Sequence, residues 1–191
     1  RESGIFIRPE VESGESIGTK IGIGETRLDE GFDLADSIHV AAGLYDLVET
    51  RLFLNSGRHR ALVGEARGSW EHLYDGDLWS MEASLAALPT PQISAELSQR
   101  WNRVELPNGN LTANITSVRL GYAFSTRLTT NALIQYNSLD KDFSTNLRLN
   151  FIHRPGSDLF IVLTERRGVE NELWDLSSRG LVAKVTYLRR F

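Results

Sequence analysis

The most constraining feature of this sequence is an alternation of apolar and polar residues that recurs in segment after segment. Between Phe143 and His153, one row carries Leu147 and Leu149, and the row between them carries Arg148. Successive side chains of a β-strand point to opposite faces of a sheet. A period of two therefore predicts strands with one apolar face and one polar face.

The alternation covers most of the chain and is interrupted by short runs of Gly, Pro, Asn, Asp and Ser, which are typical of turns between strands. It spans residues 62–71, 79–87, 93–102, 117–124, 128–136, 143–153 and 181–191, with a more evenly apolar segment at 159–166. Residues 44–55 are predicted to form a strand whose facing stays open, and 19–28 give a weaker strand signal. We therefore predict an all-β antiparallel meander of about nine to eleven strands.

Composition narrows the class of β protein. The chain has 191 residues, of which 41% are hydrophobic and 24% charged, with a net charge of −4. Its longest apolar runs are shorter than the roughly 18 residues that a membrane-spanning helix needs. Outer-membrane β-barrels cross the bilayer with alternating strands, which average out as polar. A membrane barrel is therefore compatible with this composition.

The polar rows are rich in charge, which disfavours a dry interior. Burying an unpaired charge costs several kcal/mol, whereas a water-filled lumen keeps it solvated. We therefore predict that the chain forms strands of an outer-membrane β-barrel, with its charged rows facing the lumen. The residues predicted to face the lumen are Glu65, Arg67, Glu82, Glu96, Arg100, Arg119, Arg148 and Lys184. Because both signs are interspersed, mutual pairing is favoured over selection of a solute.

Aromatic residues and connection lengths agree with this class. Aromatic side chains recur near the ends of the apolar rows, as in the aromatic girdles of such barrels. They are Trp70, Trp79, Trp101, Tyr122, Phe124, Tyr136, Phe143, Phe151, Tyr187 and Phe191. Short connections alternate with a set that includes two predicted long loops, at 104–113 and 166–180. Since periplasmic turns are short, the C-terminus is predicted to be periplasmic.

Several stretches resemble a bacterial outer-membrane family. TNALIQYNSLDKDFSTNLRLNFIHRPGSDLFIVLTER and LVAKVTYLRRF resemble the end of proteins with a C-terminal barrel called domain of unknown function 5916, and WEHLYDGD and WNRVELPNGNLT resemble upstream landmarks. Those proteins carry an N-terminal module like carbohydrate-binding module family 9. The resemblance, over about residues 44–191, implies that the chain is the C-terminal part of a larger outer-membrane β-barrel in a Gram-negative bacterium. The module is expected to be absent from this chain.

The end of the chain also resembles the signal read by the outer-membrane barrel assembly machinery. Its residues would be Ala183, Val185, Tyr187 and Phe191, with Arg189 departing from the apolar row. The predicted partners are thus the lipid bilayer of the outer membrane and that assembly machinery.

Other functional classes find little support. There are no cysteines and therefore no disulfide or thiolate metal site, and the four histidines lack the spacing of a metal motif. Without a basic patch, nucleic acid is not a predicted partner, and no cofactor is predicted. Asp75-Gly76-Asp77 is interpreted as a hairpin turn rather than half of a calcium loop.

The predicted function is a structural or transport-related membrane module without chemistry of its own. Residues 1–43 are assigned to an N-terminal segment with weak strand signals and a loop, and 44–191 to the barrel strands. One alternative is a soluble β-sandwich or lipocalin-like ligand-binding barrel, which would have a dry apolar interior. A second is an outer-membrane barrel hydrolase, although no GxSxG motif is present and alternation places Ser144 and His153 on opposite faces.

Overall fold

The computed structural model describes residues 2–35, 38–57, 59–169 and 175–188. These residues form strands joined by turns. The strands are β1 (Glu2–Ile7), β2 (Ser16–Leu28), β3 (Phe32–Ala35), β4 (Ile38–Val40), β5 (Gly43–Asn55), β6 (Leu62–Leu73), β7 (Gly76–Thr90), β8 (Ile93–Leu106), β9 (Gly109–Ala123), β10 (Leu128–Asn137), β11 (Asp142–Arg154), β12 (Ser157–Gly168) and β13 (Asp175–Thr186). The described residues include no helix that is long and apolar enough to cross a membrane.

Eleven strands form one sheet in the order β1-β2-β5-β6-β7-β8-β9-β10-β11-β12-β13, and β3 and β4 form a separate two-stranded sheet. Except where the β3–β4 hairpin is inserted, strands that follow each other in sequence lie side by side. The prediction of an all-β antiparallel meander is therefore confirmed, with a main sheet at the upper end of the predicted strand number.

The pairing register between β2 and β5 shows which face each row of β5 occupies, a point that the sequence left open. On β5, Val48 lies opposite Ile23 of β2, and Leu54 lies opposite Ile17. Directly opposite residues of an antiparallel pair share a face. The apolar residues of β2 and this row of β5 therefore form one continuous surface. β1 joins the same sheet through β2.

Tight turns follow from local chemistry. Pro155 and Gly156 connect β11 to β12, and Gly156 has a φ of 80°, as a turn with Pro followed by a left-handed Gly requires. Tyr74 and Asp75 both have a φ of 57°, the geometry of a type I′ hairpin. The predicted hairpin at Asp75-Gly76-Asp77 is confirmed, although its two turn residues lie one position earlier than the Asp-Gly pair.

Three expectations about segment lengths are wrong. The predicted long loop at 104–113 is a tight turn at Pro107 and Asn108, flanked by β8 and β9. The last strand ends at Thr186 instead of continuing to the terminus. The predicted long loop at 166–180 is also shorter than expected, because β12 extends to Gly168 and β13 begins at Asp175. With both long loops shortened, the alternation of connection lengths gives weaker support to a periplasmic C-terminus, which stays a prediction.

The chain divides into two compact units. The first comprises Arg1–Ser84 and Arg100–Asn114, and the second comprises Leu85–Gln99 and Ile115–Phe191. In the first unit, Ile38 and Val40 are 2% and 4% exposed, and they are the only buried hydrophobic side chains among the described residues. Within each unit, the residues that the structure describes do not form two apolar faces packed against each other, as a soluble sandwich requires.

Candidate functional site

The sheet of the first unit has two chemically different faces. Its apolar face follows from the registers of β2, β5 and β6 and carries Ile17, Ile21, Ile23, Val48, Leu52, Leu54, Ala66 and Trp70. Its charged face carries Lys20, Glu49, Arg51, Glu65, Arg67 and Glu71.

Exposure in the first unit is the reverse of that in a soluble protein. Ile21 and Ile23 are 54% and 61% exposed, whereas Glu49 on the opposite face is 1% exposed. Along β7, Trp79 and Met81 are exposed and the intervening Ser80 is half-buried. The apolar rows therefore lie open while the charged rows are crowded by their own neighbours.

A buried ion cluster holds the charged face together. The Glu49 carboxylate pairs with Lys20 of β2 and with Nη2 of Arg51, which lies 2.6 Å from Oε2. Glu49 stands directly opposite Glu71 of β6, and such like charges repel. The same Nη2 of Arg51 lies 3.1 Å from Oε1 of Glu71. Arg51 therefore bridges the two carboxylates and offsets their repulsion.

Gly22 makes room for this cluster. It lies opposite Glu49 in the β2–β5 register. A Cβ added at Gly22 would be 2.8 Å from Oε1 and 2.9 Å from Cγ of Glu49. The missing side chain lets the glutamate fold flat across β2. Glycine within a strand often marks such a close approach.

Four of the predicted lumen-facing residues lie on this charged face, and the structure pairs them. Arg67 lies 3.4 Å from Glu65, and Arg100 lies 3.4 Å from Glu82. A pocket of about 300 Å³ adjoins them, with Arg51, Arg67, Glu71, Ser80 and Glu82 among its lining residues.

The second unit repeats the division into two faces. The apolar face carries Val118, Leu120, Tyr122, Ala132, Ile134, Leu147, Leu149, Ile161, Leu163, Leu181, Ala183 and Val185. Leu147 and Val185 on this face are exposed. Its polar face carries Arg119, Asn131, Asn146, Arg148 and Lys184, and Arg119 and Arg148 are exposed too.

The other four predicted lumen-facing residues lie on this polar face. Arg119 lies 3.3 Å from Glu96. The Arg148 Nε donates a hydrogen bond to Oδ1 of Asn146 at 2.8 Å. Lys184 makes no ion pair with any residue that the structure describes. All eight predicted residues thus share the charged or polar face of their own unit, while their position in a lumen stays a prediction.

The apolar face is limited in height. Near the β2–β5 connection, Glu25 and Asp46 follow the apolar residues in the same rows. In the second unit, Glu165 and Arg179 follow the apolar residues of β12 and β13 in the same way. Nε of Arg179 donates a hydrogen bond to Oε2 of Glu165 at 2.8 Å. Charge therefore appears on the apolar face only beyond a band of apolar residues.

Aromatic rings lie near both ends of the apolar rows in the second unit. Tyr136 and Phe143 face each other across β10 and β11, with ring centroids 4.8 Å apart. Toward the other end of the strands, the rings of Tyr122 and Phe124 lie 4.6 Å apart, and Phe151 ends the apolar row of β11. Trp70 and Trp79 form a comparable pair in the first unit, at 6.2 Å.

The residues proposed as an assembly signal are described in part. Ala183 and Val185 lie on the apolar face of β13. Tyr187 follows the end of β13, and its ring lies 4.6 Å from the Arg154 guanidinium. The terminal Phe191 lies outside the described residues.

The structure does not assemble the catalytic pair considered from sequence. Ser144 and His153 lie on the same strand, β11, and nine residues of extended chain span roughly 30 Å. They cannot form a hydrogen-bonded nucleophile and base. Among the described residues, no group of three or more His, Cys, Asp or Glu is placed to hold a metal ion.

Sequence reasoning missed the most buried charged group, Glu49. On β5 the row of Glu49 and Arg51 also contains Leu47 and Phe53, so neither row is clearly polar. A usable signal was present in β2, where Gly18, Gly22 and Gly24 recur on a single face. A glycine face indicates that bulky side chains of the next strand lie across it.

Comparisons with known proteins were made by family, sequence and structure. No protein-family model and no curated protein matches the chain. Among solved structures, the chain is similar to "KdgM porin" and to "KdgM porin in complex with disordered oligogalacturonate". Each match has 11% identity and a TM-score of 0.43, and covers 97% of this chain and 89% of the porin. Similarity this low does not establish a relationship.

Proposed function

We propose that this chain forms part of an outer-membrane β-barrel, with its apolar rows against lipid and its charged rows against a water-filled interior. Its role would be structural or transport-related, without catalytic chemistry. One observation carries the proposal: in the first unit the apolar face is exposed while the charged face holds the buried Glu49.

Exposed apolar area supports a lipid environment. Monomeric soluble proteins rarely expose a continuous apolar patch larger than a few hundred Å². Here large hydrophobic side chains are exposed on consecutive strands of each unit. They include Ile5, Ile7, Ile17, Ile21, Ile23, Leu52 and Leu54 in the first unit, and Leu120, Tyr122, Ile134, Leu147, Leu181 and Val185 in the second. Bilayer hydrocarbon covers such a surface without requiring any polar partner.

The height of the apolar band fits a bilayer. Phe143 and Phe151 share a row of β11 and are eight residues apart, or roughly 26 Å along the strand. With a tilt of about 40° this distance corresponds to about 20 Å of height, close to the apolar band of about 25 Å in such barrels. Glu165 and Arg179 lie level with Thr145, which is two residues inside Phe143 on β11. They are therefore near the end of this band, where charge costs less than at its centre.

The fold meets the backbone requirement of a bilayer except at its two edges. Lipid offers no partner to an unpaired backbone group, so only closed sheets and helices are stable in it. β1 and β13 each have one neighbour in the sheet order. Each edge must therefore pair with a strand when the sheet is in the membrane, either by closure of the sheet or by addition of further strands.

Location and partners extend the proposal. Barrels of this type belong to the outer membrane, and the exposed Ala183, Val185 and Tyr187 are consistent with a C-terminal signal for the assembly machinery. A periplasmic C-terminus and membership in the domain of unknown function 5916 family are part of the same proposal and rest on the sequence patterns.

Detergent dependence tests the proposal. The chain is refolded with and without detergent and examined by size-exclusion chromatography and by electrophoresis of unboiled samples. We expect a monodisperse species only in detergent, and a band that shifts on boiling as the sheet unfolds. A monodisperse folded chain without detergent would refute the membrane proposal.

A further inference from the structure

The polar face of the second unit contains a pocket framed by two arginines. Arg119, Asn131, Leu133, Asn146 and Arg148 are among the residues that line its volume of about 310 Å³. We call this the arginine pocket. It lies at the lower end of the range of about 300–1,000 Å³ for ligand sites, which suits a single sugar-sized molecule.

Register places the two arginines on either side of β10. Arg119 of β9 stands opposite Leu133, and Arg148 of β11 stands opposite Asn131. Neighbouring strands are roughly 4.8 Å apart and residues rise roughly 3.3 Å, so the two arginine Cα atoms are about 12 Å apart. Two long side chains at that spacing can reach one small anion between them.

Hydrogen bonds orient Arg148 while leaving its outer nitrogens available. Its Nε donates to Oδ1 of Asn146 at 2.8 Å, and Nδ2 of Asn146 donates to Thr164 Oγ1 at 2.9 Å. These bonds fix the amide orientation and, through it, the guanidinium plane. No acidic side chain among the described residues pairs with Arg148. An oriented guanidinium fork matches the geometry of a carboxylate.

The local charge balance favours an anion. Glu96 pairs with Arg119, and the described residues that line the pocket include no acidic side chain. The pocket therefore retains excess positive charge from Arg148. Lys184 adds a further positive charge on the same face. In the first unit, by contrast, the predicted arginines Arg67 and Arg100 each face a glutamate.

Asn131 supplies a neutral polar group to the lining of the arginine pocket. Its side chain is exposed, and its amide makes no hydrogen bond with any residue that the structure describes. A free amide can donate to and accept from a hydroxyl group. We infer that the arginine pocket binds a sugar carboxylate, with Arg148 on the carboxylate and Asn131 on a hydroxyl. This inference deepens the proposed function by naming a solute class for the polar interior.

Binding in detergent tests the inference. The ¹⁵N-labelled chain is titrated with sodium glucuronate and, separately, with glucose, which has the same ring without the carboxylate. We expect saturable shifts with glucuronate, weakened by added salt, and at least tenfold weaker binding of glucose. Equal binding of the two sugars, or no binding of glucuronate, would overturn the inference.

Matched variants locate the site. Arg148→Gln should weaken glucuronate binding about tenfold or more, and Asn131→Ala should weaken it severalfold. Arg100→Gln removes the same charge from the first unit and should leave binding unchanged. An unchanged affinity in Arg148→Gln, or an equal loss in Arg100→Gln, would refute the assignment. The two proposals can fail separately. If the chain needs no detergent but binds glucuronate through Arg148, only the membrane proposal is refuted. If the chain depends on detergent but binds no glucuronate, only this inference is refuted.

Discussion

Single residues on the charged face are fitted to one another across neighbouring strands. Gly22 on β2 leaves the space that the Glu49 side chain of β5 occupies, and Arg51 separates the Glu49 and Glu71 carboxylates. Removing a single partner of such a cluster leaves a buried charge uncompensated, which costs more than the pair contributes. The cluster therefore restricts which residues β2 can carry on this face.

A methyl group at Gly22 tests this fit. In Gly22→Ala the new Cβ would come within 2.8 Å of the Glu49 carboxylate, and we expect a loss of about 1–3 kcal/mol in the free energy of unfolding. Gly180→Ala is the matched control, because nothing lies within 4 Å of a Cβ at Gly180. Urea unfolding in detergent, followed by tryptophan fluorescence, compares the two. Equal midpoints for both variants would contradict the close contact.

The sequence predicted the charged rows but not the residue at their centre. The eight predicted residues were identified because their strands separate apolar from polar rows, as in Met81 and Glu82 of β7. β5 does not separate them, since Phe53 shares a row with Arg51. Which row of β5 is buried depends on Gly22 of the neighbouring strand, and this tertiary contact is invisible in β5 alone.

The strands differ in how well the local sequence pattern predicted them. The strands from residue 62 onward were predicted because the alternating segments end where turn residues occur, as at Pro155 and Gly156. The segment 104–113 was mistaken for a loop because Asn108, Asn110 and Thr112 are polar. In the structure, Asn110 and Thr112 belong to the exposed row at the start of β9. This part of β9 lies beyond the apolar band, where a polar strand would project into water. Polarity alone does not distinguish such a strand from a loop.

Adjacent residues of β13 offer a matched test of strand facing. Leu181 and Val182 are 70% and 62% exposed, on the apolar and polar faces respectively. In a bilayer, Leu181→Arg should cost about 2–4 kcal/mol, whereas an arginine on the lumen side should cost little. Unfolding in lipid vesicles by urea measures both variants. A larger loss for Val182→Arg would reverse the assigned facing.

The connection between β1 and β2 carries an acid-sensitive contact outside the apolar band. The hydroxyl of Ser13 donates to the Glu15 carboxylate, which also pairs with Arg60. The hydrogen bond from Ser13 contributes most to holding the pKa of Glu15 below its ordinary value of 4.5, followed by a hydrogen bond from the backbone of Glu15 and the charges of Arg60 and His59. A lowered folded-state pKa stabilises the fold above the ordinary value, and this contribution is lost as pH falls through the folded pKa.

Removing the Ser13 hydroxyl tests the cause of that shift. In Ser13→Ala we expect the pKa of Glu15 to rise toward 4.5, because the largest stabilising contact of the ionised form is gone. Carboxyl ¹³C NMR of selectively labelled glutamate follows the titration in both proteins. An unchanged pKa would assign the shift to Arg60 instead.

At the scale of the whole molecule, the sequence predicted an antiparallel meander and the structure has one. What the pattern alone could not supply is which face is enclosed, because alternation is identical in a soluble sandwich and a membrane barrel. That distinction comes from exposure: Ile38 and Val40 are the buried hydrophobic residues of the described chain, too few for a soluble core. Under the proposed function, lipid covers the apolar rows instead.

The outward orientation of the apolar rows can be measured directly. The chain has no cysteines, so single cysteines introduced at positions 144–150 of β11 can each carry a nitroxide spin label in lipid vesicles. Electron paramagnetic resonance then compares collisions with oxygen, which partitions into lipid, and with a water-soluble nickel complex. We predict oxygen access at Thr145, Leu147 and Leu149 and nickel access at Ser144, Asn146 and Arg148. The opposite phase would show that the apolar rows face inward and would contradict the membrane assignment.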